Sequence, residues 1–521
     1  MELSNEKHDL LPLATEQPRS LYDTAVMCGR YLGNRAASVS RSIRSSGSAA
    51  TSPRSASPSR IPNHHHQHHH AAGKPSRGGH SPTAYLSGIR GVAAVIVFIF
   101  HATWAHTSAV DEGYGYEEPP RNRHILQLPF LRIVHAGHAM VGLFFLIGGY
   151  VNAAKPLRLI RAGRHAELVP AVAGGLLRRA PRLYLPALAA MLTTALLTYA
   201  GAFEPARANL DANPEGVFYW PDFHPGRQET LAGTLADWRA QAWQLCNPWR
   251  QPFWTHYDPH LWTVTLEFRA SLVVSLALAG VACCRVGARM ALLAGVTLFM
   301  ARCDRWEVAL FLTGAVLAEL DLMRKEAATP TLGLGLDDDQ HPRGRRWGRR
   351  RRPTRALGVA LLAIAGLYLM SFPPNHGAET PGFAPVARWL VPAWTDDPKR
   401  YVHGVGATLF LVAAGSSPTA LQRPFLAPAA QYLGKVSYAL YVVHGPVLHA
   451  VGYVVTPAVL AATGGVGPEG TEARWAAGMV LATAVNFAVS LGVADLFYRV
   501  VDVGSVRLAV AFQKLCTQSG Y

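Results

Sequence analysis

Tyr85-Leu-Ser-Gly-Ile-Arg-Gly-Val-Ala-Ala-Val-Ile-Val-Phe-Ile-Phe-His101 is an apolar run long enough to cross a bilayer, interrupted by two side chains that can carry positive charge, Arg90 and His101. On a helix of about 3.6 residues per turn, the step between them is about three turns, so both lie on one face roughly 16 Å apart along the axis. A charged or strongly polar group costs about 2.5–3.5 kcal/mol or more at the centre of a lipid-facing helix. That face therefore looks inward. Two readings follow: a cavity with chemistry in it, or a core histidine hydrogen-bonded to a neighbouring helix.

The rest of the chain supports a membrane setting. Half of the 521 residues are hydrophobic and only 16% are charged, against about 25% charged in a typical soluble domain. The apolar residues are gathered into long blocks, which predicts a polytopic membrane protein. Net charge is +16, from 49 Lys and Arg against 33 Asp and Glu. A nucleic-acid partner would need those cations in one patch beside aromatic stacking positions. They sit instead in a polar N-terminal arm and in loops such as Gly344-Arg-Arg-Trp-Gly-Arg-Arg-Arg-Arg352, as expected when cytoplasmic loops retain positive charge. Cys28, Cys246, Cys283, Cys284, Cys303 and Cys516 show no CxxC spacing, so neither a disulfide framework nor a zinc site is expected. The first 80 residues lack the apolar core of a cleavable signal, and the first hydrophobic helix is expected to act as the uncleaved targeting signal. The sequence contains no Asn-x-Ser/Thr acceptor for a glycan.

Three parts are expected: a disordered basic arm over 1–80, a transmembrane domain over 81–503 and a short cytoplasmic tail over 504–521. The arm is rich in Ser, Arg, Pro and Gly and has too little apolar surface to offset the entropy of ordering. Its tract His64-His-His-Gln-His-His-His70 reads either as a solvated low-complexity run or as a weak divalent-metal site. Ten apolar segments follow, at 84–106, 136–154, 181–201, 260–284, 288–301, 306–323, 356–372, 403–416, 431–455 and 476–499. The predicted fold class is all-α, a polytopic transmembrane bundle of about ten helices. With both termini cytoplasmic, the basic connections all fall on one side of the membrane. The longer aromatic connections 107–135, 202–259 and 373–402 fall on the other. Trp220, Trp238, Trp243, Trp249 and Trp254 in the second of these either cover an acceptor site or lie at the membrane interface.

Chemistry is concentrated in a few places. Arg178, Arg179 and Arg182 precede the run Leu183-Tyr-Leu-Pro-Ala-Leu. Helical spacing puts Arg182 beside both others, a cationic cluster able to clamp phosphates bidentately or to anchor the chain on the positive side. His260-Leu-Trp-Thr-Val-Thr-Leu-Glu-Phe-Arg269 places Glu267 and Arg269 inside an apolar segment, where a carboxylate needs a partner. Ser437, Tyr441 and His444 line one helical stripe, with Pro446 just beyond as a candidate kink. Such a stripe either bonds to adjacent helices or lines a substrate passage.

These segments together resemble the membrane-bound acyltransferase-3 family. Gly88-Ile-Arg-Gly91 followed by His101 is similar to the family's opening element, an arginine with a histidine eleven positions later. Phe144-Phe-Leu-Ile-Gly-Gly-Tyr150, Arg179-Ala-Pro-Arg182, Trp262-Thr-Val-Thr-Leu-Glu267 and Ser437-Tyr-x-x-Tyr-x-x-His444 resemble its other four elements, in order. The sequence departs from the family pattern at Ser87, often Asp there, at Gly148, usually Ser, and at Gly445, frequently Trp. One residue is also added between Trp262 and Glu267.

The resemblance implies an integral membrane O-acyltransferase that moves an acyl group, most simply acetyl, from acyl-CoA to a hydroxyl of a small molecule, glycan or lipid-linked acceptor. On that reading His101 is the general base, and Arg90 and Glu267 are further catalytic groups, Arg90 to stabilise the charge developing on the thioester oxygen or to orient His101. Arg178, Arg179 and Arg182 hold the donor's phosphates, and Ser437, Tyr441 and His444 contact substrate. Partners are acyl-CoA, a hydroxyl-bearing acceptor and the lipid bilayer. No nucleic acid, metal or tightly bound cofactor is expected. The alternatives are a transporter or channel that uses the same His, Glu and Arg side chains as a proton or solute pathway, and a catalytically silent scaffold.

Overall fold

A computed structural model describes residues 81–517, apart from 118–121, 214–215, 223–224, 251–252, 329–344, 418–419 and 468–469, and apart from the side chains of 328, 345–353 and 355. The arm 1–80 with its histidine tract, Cys28, Gly344 and the last four residues lie outside the described part, and of the basic stretch Arg345–Arg352 only the backbone is described.

The described chain is built of helices. The longer ones are α1 (Ala84–Trp104), α2 (Gly137–Arg161), α3 (His165–Tyr199), α6 (Trp262–Gly280), α7 (Val286–Arg302), α8 (Trp306–Ala328), α9 (Arg345–Met370), α11 (Pro398–Ser416), α12 (Pro428–Val447), α14 (Glu472–Phe497) and α15 (Val503–Cys516). Shorter pieces are α4 (Glu204–Ala212), α5 (Leu231–Leu245), α10 (Ala384–Leu390) and α13 (Tyr453–Ala462). Each of the ten apolar segments falls on one of these. Among the described residues six stretches are long and apolar enough to span a membrane: Ala84–Trp104, Gly137–Arg161, His165–Tyr199, Pro259–Gly280, Pro428–Ala462 and Glu472–Cys516. The architecture is thus a helical membrane bundle, and ten is an approximate count of its crossings.

Two boundaries differ from the sequence reading. Helix α3 begins at His165 and runs for 35 residues through Pro170, Pro181 and Pro186, so the arginines expected in a connection stand on a continuous helix. Three prolines remove three backbone donors, but the neighbouring helices hold α3 in place along its length. Residues 504–521, expected as a short tail, include helix α15, which leaves α14 through a π turn at Tyr498–Asp502 and packs on α3. A second π turn, Leu448–Gly452, joins α12 to α13 just after Pro446, where the missing proline N–H interrupts the regular ladder.

Close helix contacts use glycine, as is usual where packing rather than the hydrophobic effect drives association in lipid. A Cβ on Gly434 of α12 would lie 2.2 Å from the Ser87 carbonyl oxygen of α1, and one on Gly91 would lie 2.4 Å from the Gly434 nitrogen. Gly149 and Gly314 bring α2 and α8 together in the same way, with a Cβ on Gly149 falling 2.0 Å from the Phe311 carbonyl oxygen. Two large apolar clusters result. One joins α1, α2, α6, α8 and α11 through residues such as Ile89, Leu146 and Phe311. The other joins α3, α6 and α12 through Tyr184, Met191 and Leu440. Trp220, Trp243, Trp249 and Trp254 are exposed on the outside of the molecule, a placement that suits the interface rather than a core.

Buried ions are paired across helices. Arg269 of α6 meets Glu307 of α8 at 2.5 Å, and Arg289 of α7 meets Glu319 of α8 at 2.6 Å. Glu319 has no exposed side-chain surface and also accepts from Arg161 of α2 at 2.8 Å. Removing one partner of such a pair leaves an uncompensated buried charge, at about 3–5 kcal/mol. Glu319→Ala should therefore lower the thermal unfolding temperature of the purified protein clearly, and Glu167→Ala, which breaks an exposed pair with Arg164, should hardly move it. Equal shifts for the two variants, measured by light-scattering or fluorescence melts in one detergent, would show that the three-helix ion cluster carries no special weight.

Candidate active site

A cavity of about 210 Å³ lies between the two apolar clusters, walled by α1, α2, α3, α6 and α12. At one end stand Arg90, Arg179, Arg182 and Lys435 with the carboxylates of Glu267 and Asp502, four cations to two anions. Asp502 reaches this end because the π turn after α14 ends on it. Arg179 Nη2 donates to Glu267 Oε1 at 2.7 Å. Arg90 and Arg182 make no ion pair among the described residues, so two guanidinium groups face the space with their donors available to an anionic ligand.

Three helices carry the cavity from this charged end towards a histidine cluster. Along α1 the order is Arg90, Val97, His101; along α12 it is Lys435, Tyr441, His444; along α6, which runs the opposite way, it is Glu267, Thr263 and then His260 just before the helix. Tyr441 closes the passage between the two ends. Its hydroxyl lies 2.6 Å from Thr263 Oγ1 and donates to the carbonyl oxygen of His260.

His101, His260 and His444 meet beyond Tyr441, with ring centroids 3.9 Å apart for His101–His260, 4.7 Å for His260–His444 and 5.2 Å for His101–His444. His101 Nδ1 is 2.9 Å from His260 Nε2, and His260 Nδ1 is 2.8 Å from Asp258 Oδ1. Asp258 also accepts from the His260 backbone nitrogen at 3.1 Å, which caps the turn that opens α6 and fixes the carboxylate beside the ring. A second carboxylate, Asp222 from the connection between α4 and α5, approaches His260 Nε2 at 3.3 Å and His449 Nε2 at 3.7 Å.

Gly445 makes room for this arrangement. A Cβ there would lie 2.5 Å from both Asp258 Oδ1 and His260 Nδ1. The position where the family resemblance has a frequent Trp is thus a glycine in this chain because the Asp258–His260 pair fills the space.

The residues singled out in the sequence are distributed unevenly over the site. Arg90, Arg179, Arg182, Glu267, Ser437 and Tyr441 all line the cavity, whereas His101 and His444 do not line it and stand in the cluster beyond Tyr441. Ser437 Oγ donates back to the Gly434 carbonyl at 3.0 Å, and His444 Nδ1 lies 2.8 Å from the Tyr441 carbonyl oxygen. Arg178 points elsewhere: its guanidinium is bonded to Gln513 of α15, and it does not line the cavity. His260, Asp258, Asp222, Lys435 and Asp502 carried no assigned role in the sequence reading. The pattern Asp258-Pro-His260 at the mouth of an apolar helix is a local signal that could have flagged the first two, whereas Asp222 and Asp502 arrive only through the fold.

Comparison with known proteins matches this architecture to a family. The family described as an acyltransferase domain, acyltransferase 3, matches residues 83–499. The chain is 29% identical over 457 residues to the O-acetyltransferase PaAT-1 of Phomopsis amygdali, covering 83% of this chain and 85% of that protein. It is 26% identical to the acyltransferase R4 of a Phoma species, covering 81% of this chain and 94% of that protein. To the acyltransferase clz18 of Cochliobolus lunatus it is 25% identical, covering 70% of this chain and 82% of that protein. No solved structure is significantly similar to it. With a match that runs from the start of α1 to the end of α14, the chain belongs to the acyltransferase-3 family and is an acyltransferase.

Proposed function

We propose that this enzyme transfers an acyl group, most simply acetyl, from an acyl-CoA thioester to the hydroxyl of an acceptor, using the cavity as the donor's channel and His101 as the base. The observation that carries the reading is the hydrogen-bonded chain Asp258–His260–His101, which lies just past the Tyr441 end of a cavity whose other end is cationic. The similarity to an O-acetyltransferase supports both the acetyl group and the oxygen acceptor.

In this mechanism His101 Nδ1–H is held by His260 Nε2, while His260 Nδ1–H is held by Asp258. That tautomer leaves His101 Nε2 with its lone pair. Nε2 takes the proton of the acceptor hydroxyl as the oxygen attacks the thioester carbonyl carbon. The carbon–sulfur bond then breaks, the coenzyme leaves as a thiolate, and the imidazolium returns the proton to sulfur. The products are the ester and free CoA. Asp258 and Asp222 stabilise the imidazolium that forms in between, the role of the buried carboxylate in other histidine-based sites. Arg90, Arg182 and Lys435 hold donor phosphates through charge-assisted hydrogen bonds. The orientation that suits the loop charges places this cationic end and both termini on the cytoplasmic side, where acyl-CoA is found. The acceptor then meets His101 from the opposite end.

Turnover of acetyl-CoA by the purified full-length protein, followed as free CoA and as acylated product over a panel of hydroxyl acceptors, tests the reading. His101→Ala should lower kcat by about 10²-fold or more, with donor binding retained. Folded wild-type protein that neither binds nor consumes any acyl-CoA would falsify it.

Two further outcomes separate the roles. Gly445→Ala forces Asp258 and His260 apart without touching a reacting atom, and should lower kcat on the order of 10-fold or more while leaving the affinity for acetyl-CoA unchanged. Arg182→Ala should do the reverse, weakening acetyl-CoA binding by roughly 10-fold or more, the worth of about one hydrogen bond to a charged group, with a smaller effect on kcat. Swapped phenotypes in steady-state kinetics would mean that the two ends of the cavity have been assigned the wrong way round.

A further inference from the structure

The three imidazoles of the cluster have a property that the proton-transfer role does not require. Each presents a ring nitrogen to one shared space, and the three ligand atoms lie within 4.8 Å of one another. His444 Nδ1 is engaged by the carbonyl oxygens of Tyr441 at 2.8 Å and Leu440 at 3.2 Å, which leaves its Nε2 as a buried nitrogen with no hydrogen-bond partner among the described residues. His260 Nδ1 is engaged by Asp258 at 2.8 Å, which turns its Nε2 inward. A ring nitrogen held by a carboxylate or a backbone carbonyl, with the other nitrogen directed into a common site, is the arrangement that orients histidine ligands around a metal. Asp222 Oδ2, 3.3 Å from His260 Nε2, adds an oxygen donor and a negative charge at the same place.

The spacing fits. Zinc–nitrogen bonds of about 2.0–2.1 Å in a tetrahedral site put ligand nitrogens about 3.3–3.4 Å apart. The His101 Nδ1–His260 Nε2 separation is 2.9 Å, and the other pairs need to close by no more than a modest ring rotation from within 4.8 Å. Imidazole donors favour zinc, copper, nickel and cobalt over magnesium or calcium.

We propose that His101, His260 and His444 form a binding site for one divalent transition-metal ion, with Asp222 placed as a fourth donor, and that occupancy of this site switches acyl transfer off. The switch rests on the base role given to His101 above. An ion bound at His101 Nδ1 drives the ring proton to Nε2, the nitrogen that would otherwise accept the hydroxyl proton. The bound ring can no longer act as a base, and the ion also fills the space beside it.

The test uses the full-length chain with His64→Ser, His65→Ser, His66→Ser, His68→Ser, His69→Ser and His70→Ser, so that the N-terminal tract contributes no binding, purified in nanodiscs and washed with chelator. Co2+ serves as the spectroscopic probe and Zn2+ as the inhibitor. One Co2+ per chain with the ligand-field bands of a low-coordinate site is expected, together with loss of turnover that follows Zn2+ occupancy and is reversed by chelator. His444→Gln should weaken binding by more than the roughly 10- to 100-fold that follows from losing a group that merely orients a ligand, and Asp258→Asn should weaken it within that range.

Metal-free protein that turns over acetyl-CoA and binds no ion at this site would overturn the proposal and leave the acyltransferase mechanism standing. Inhibition by Zn2+ that is equally strong in His444→Gln would also overturn it, since the ion would then act elsewhere. If metal-free protein is inactive and Zn2+ restores activity, the ion is part of the chemistry, and both the inhibitory role and the free-base role of His101 fall. A Co2+ spectrum lost in His444→Gln, in protein that consumes no acyl-CoA under any condition, would uphold the site and remove the mechanism proposed for it.

Discussion

An ionisable group inside an apolar bundle must find a partner, and the rest of this structure is arranged around that requirement. Arg269 finds Glu307, Arg289 and Arg161 share Glu319, and Arg179 finds Glu267. Each pair joins two different helices, so the pairings also set which helices are neighbours. Asp258, His260 and His101 solve the same problem in a line rather than as a pair. Desolvation is costly for each member alone, and the hydrogen-bonded chain offsets it because each ring and the carboxylate meets a partner in a low-dielectric setting that strengthens such bonds.

Glycine supplies the second condition. Backbones approach closely where α1 meets α12 at Gly91 and Gly434 and where α2 meets α8 at Gly149 and Gly314. These contacts set how closely the helices approach, and Gly434 itself stands in the wall of the cavity. At Gly445 the same absence of a side chain acts on chemistry directly, because the volume that a Cβ would take belongs to Asp258 and His260. Packing and catalysis thus draw on one property of the residue.

The polarity of the cavity follows from helix direction. Helices α1 and α12 run from the charged end towards the histidines, and α6 runs from the histidines past the charged end, so a motif near the start of one helix and a motif near the start of another can lie at opposite ends of the passage. Arg90 and His101 occupy both ends of a single helix. They share a face, yet they serve different parts of the site, one beside Arg182 and Asp502 and the other beside His260 and His444.

Much of this was legible in the sequence. Period and apolar length along 84–106 required a helix with Arg90 and His101 facing inward, because neither side chain can face lipid without a large penalty. Spacing alone put Arg179 beside Arg182, and Ser437, Tyr441 and His444 on one stripe. Other features were decided only by tertiary structure. Arg178 lies on the same helix as Arg179 but is turned to Gln513 of α15, since residues adjacent in sequence point about 100° apart on a helix. Asp222 and Asp502 come to the site from a connection and from a π turn, with no periodic pattern to announce them. The histidine cluster itself joins residues 101, 260 and 444. The sequence places His101 and His444 on a face of their helices, but the distance between those rings and His260, in the turn before a third helix, depends on how the helices pack, and only the folded chain determines it.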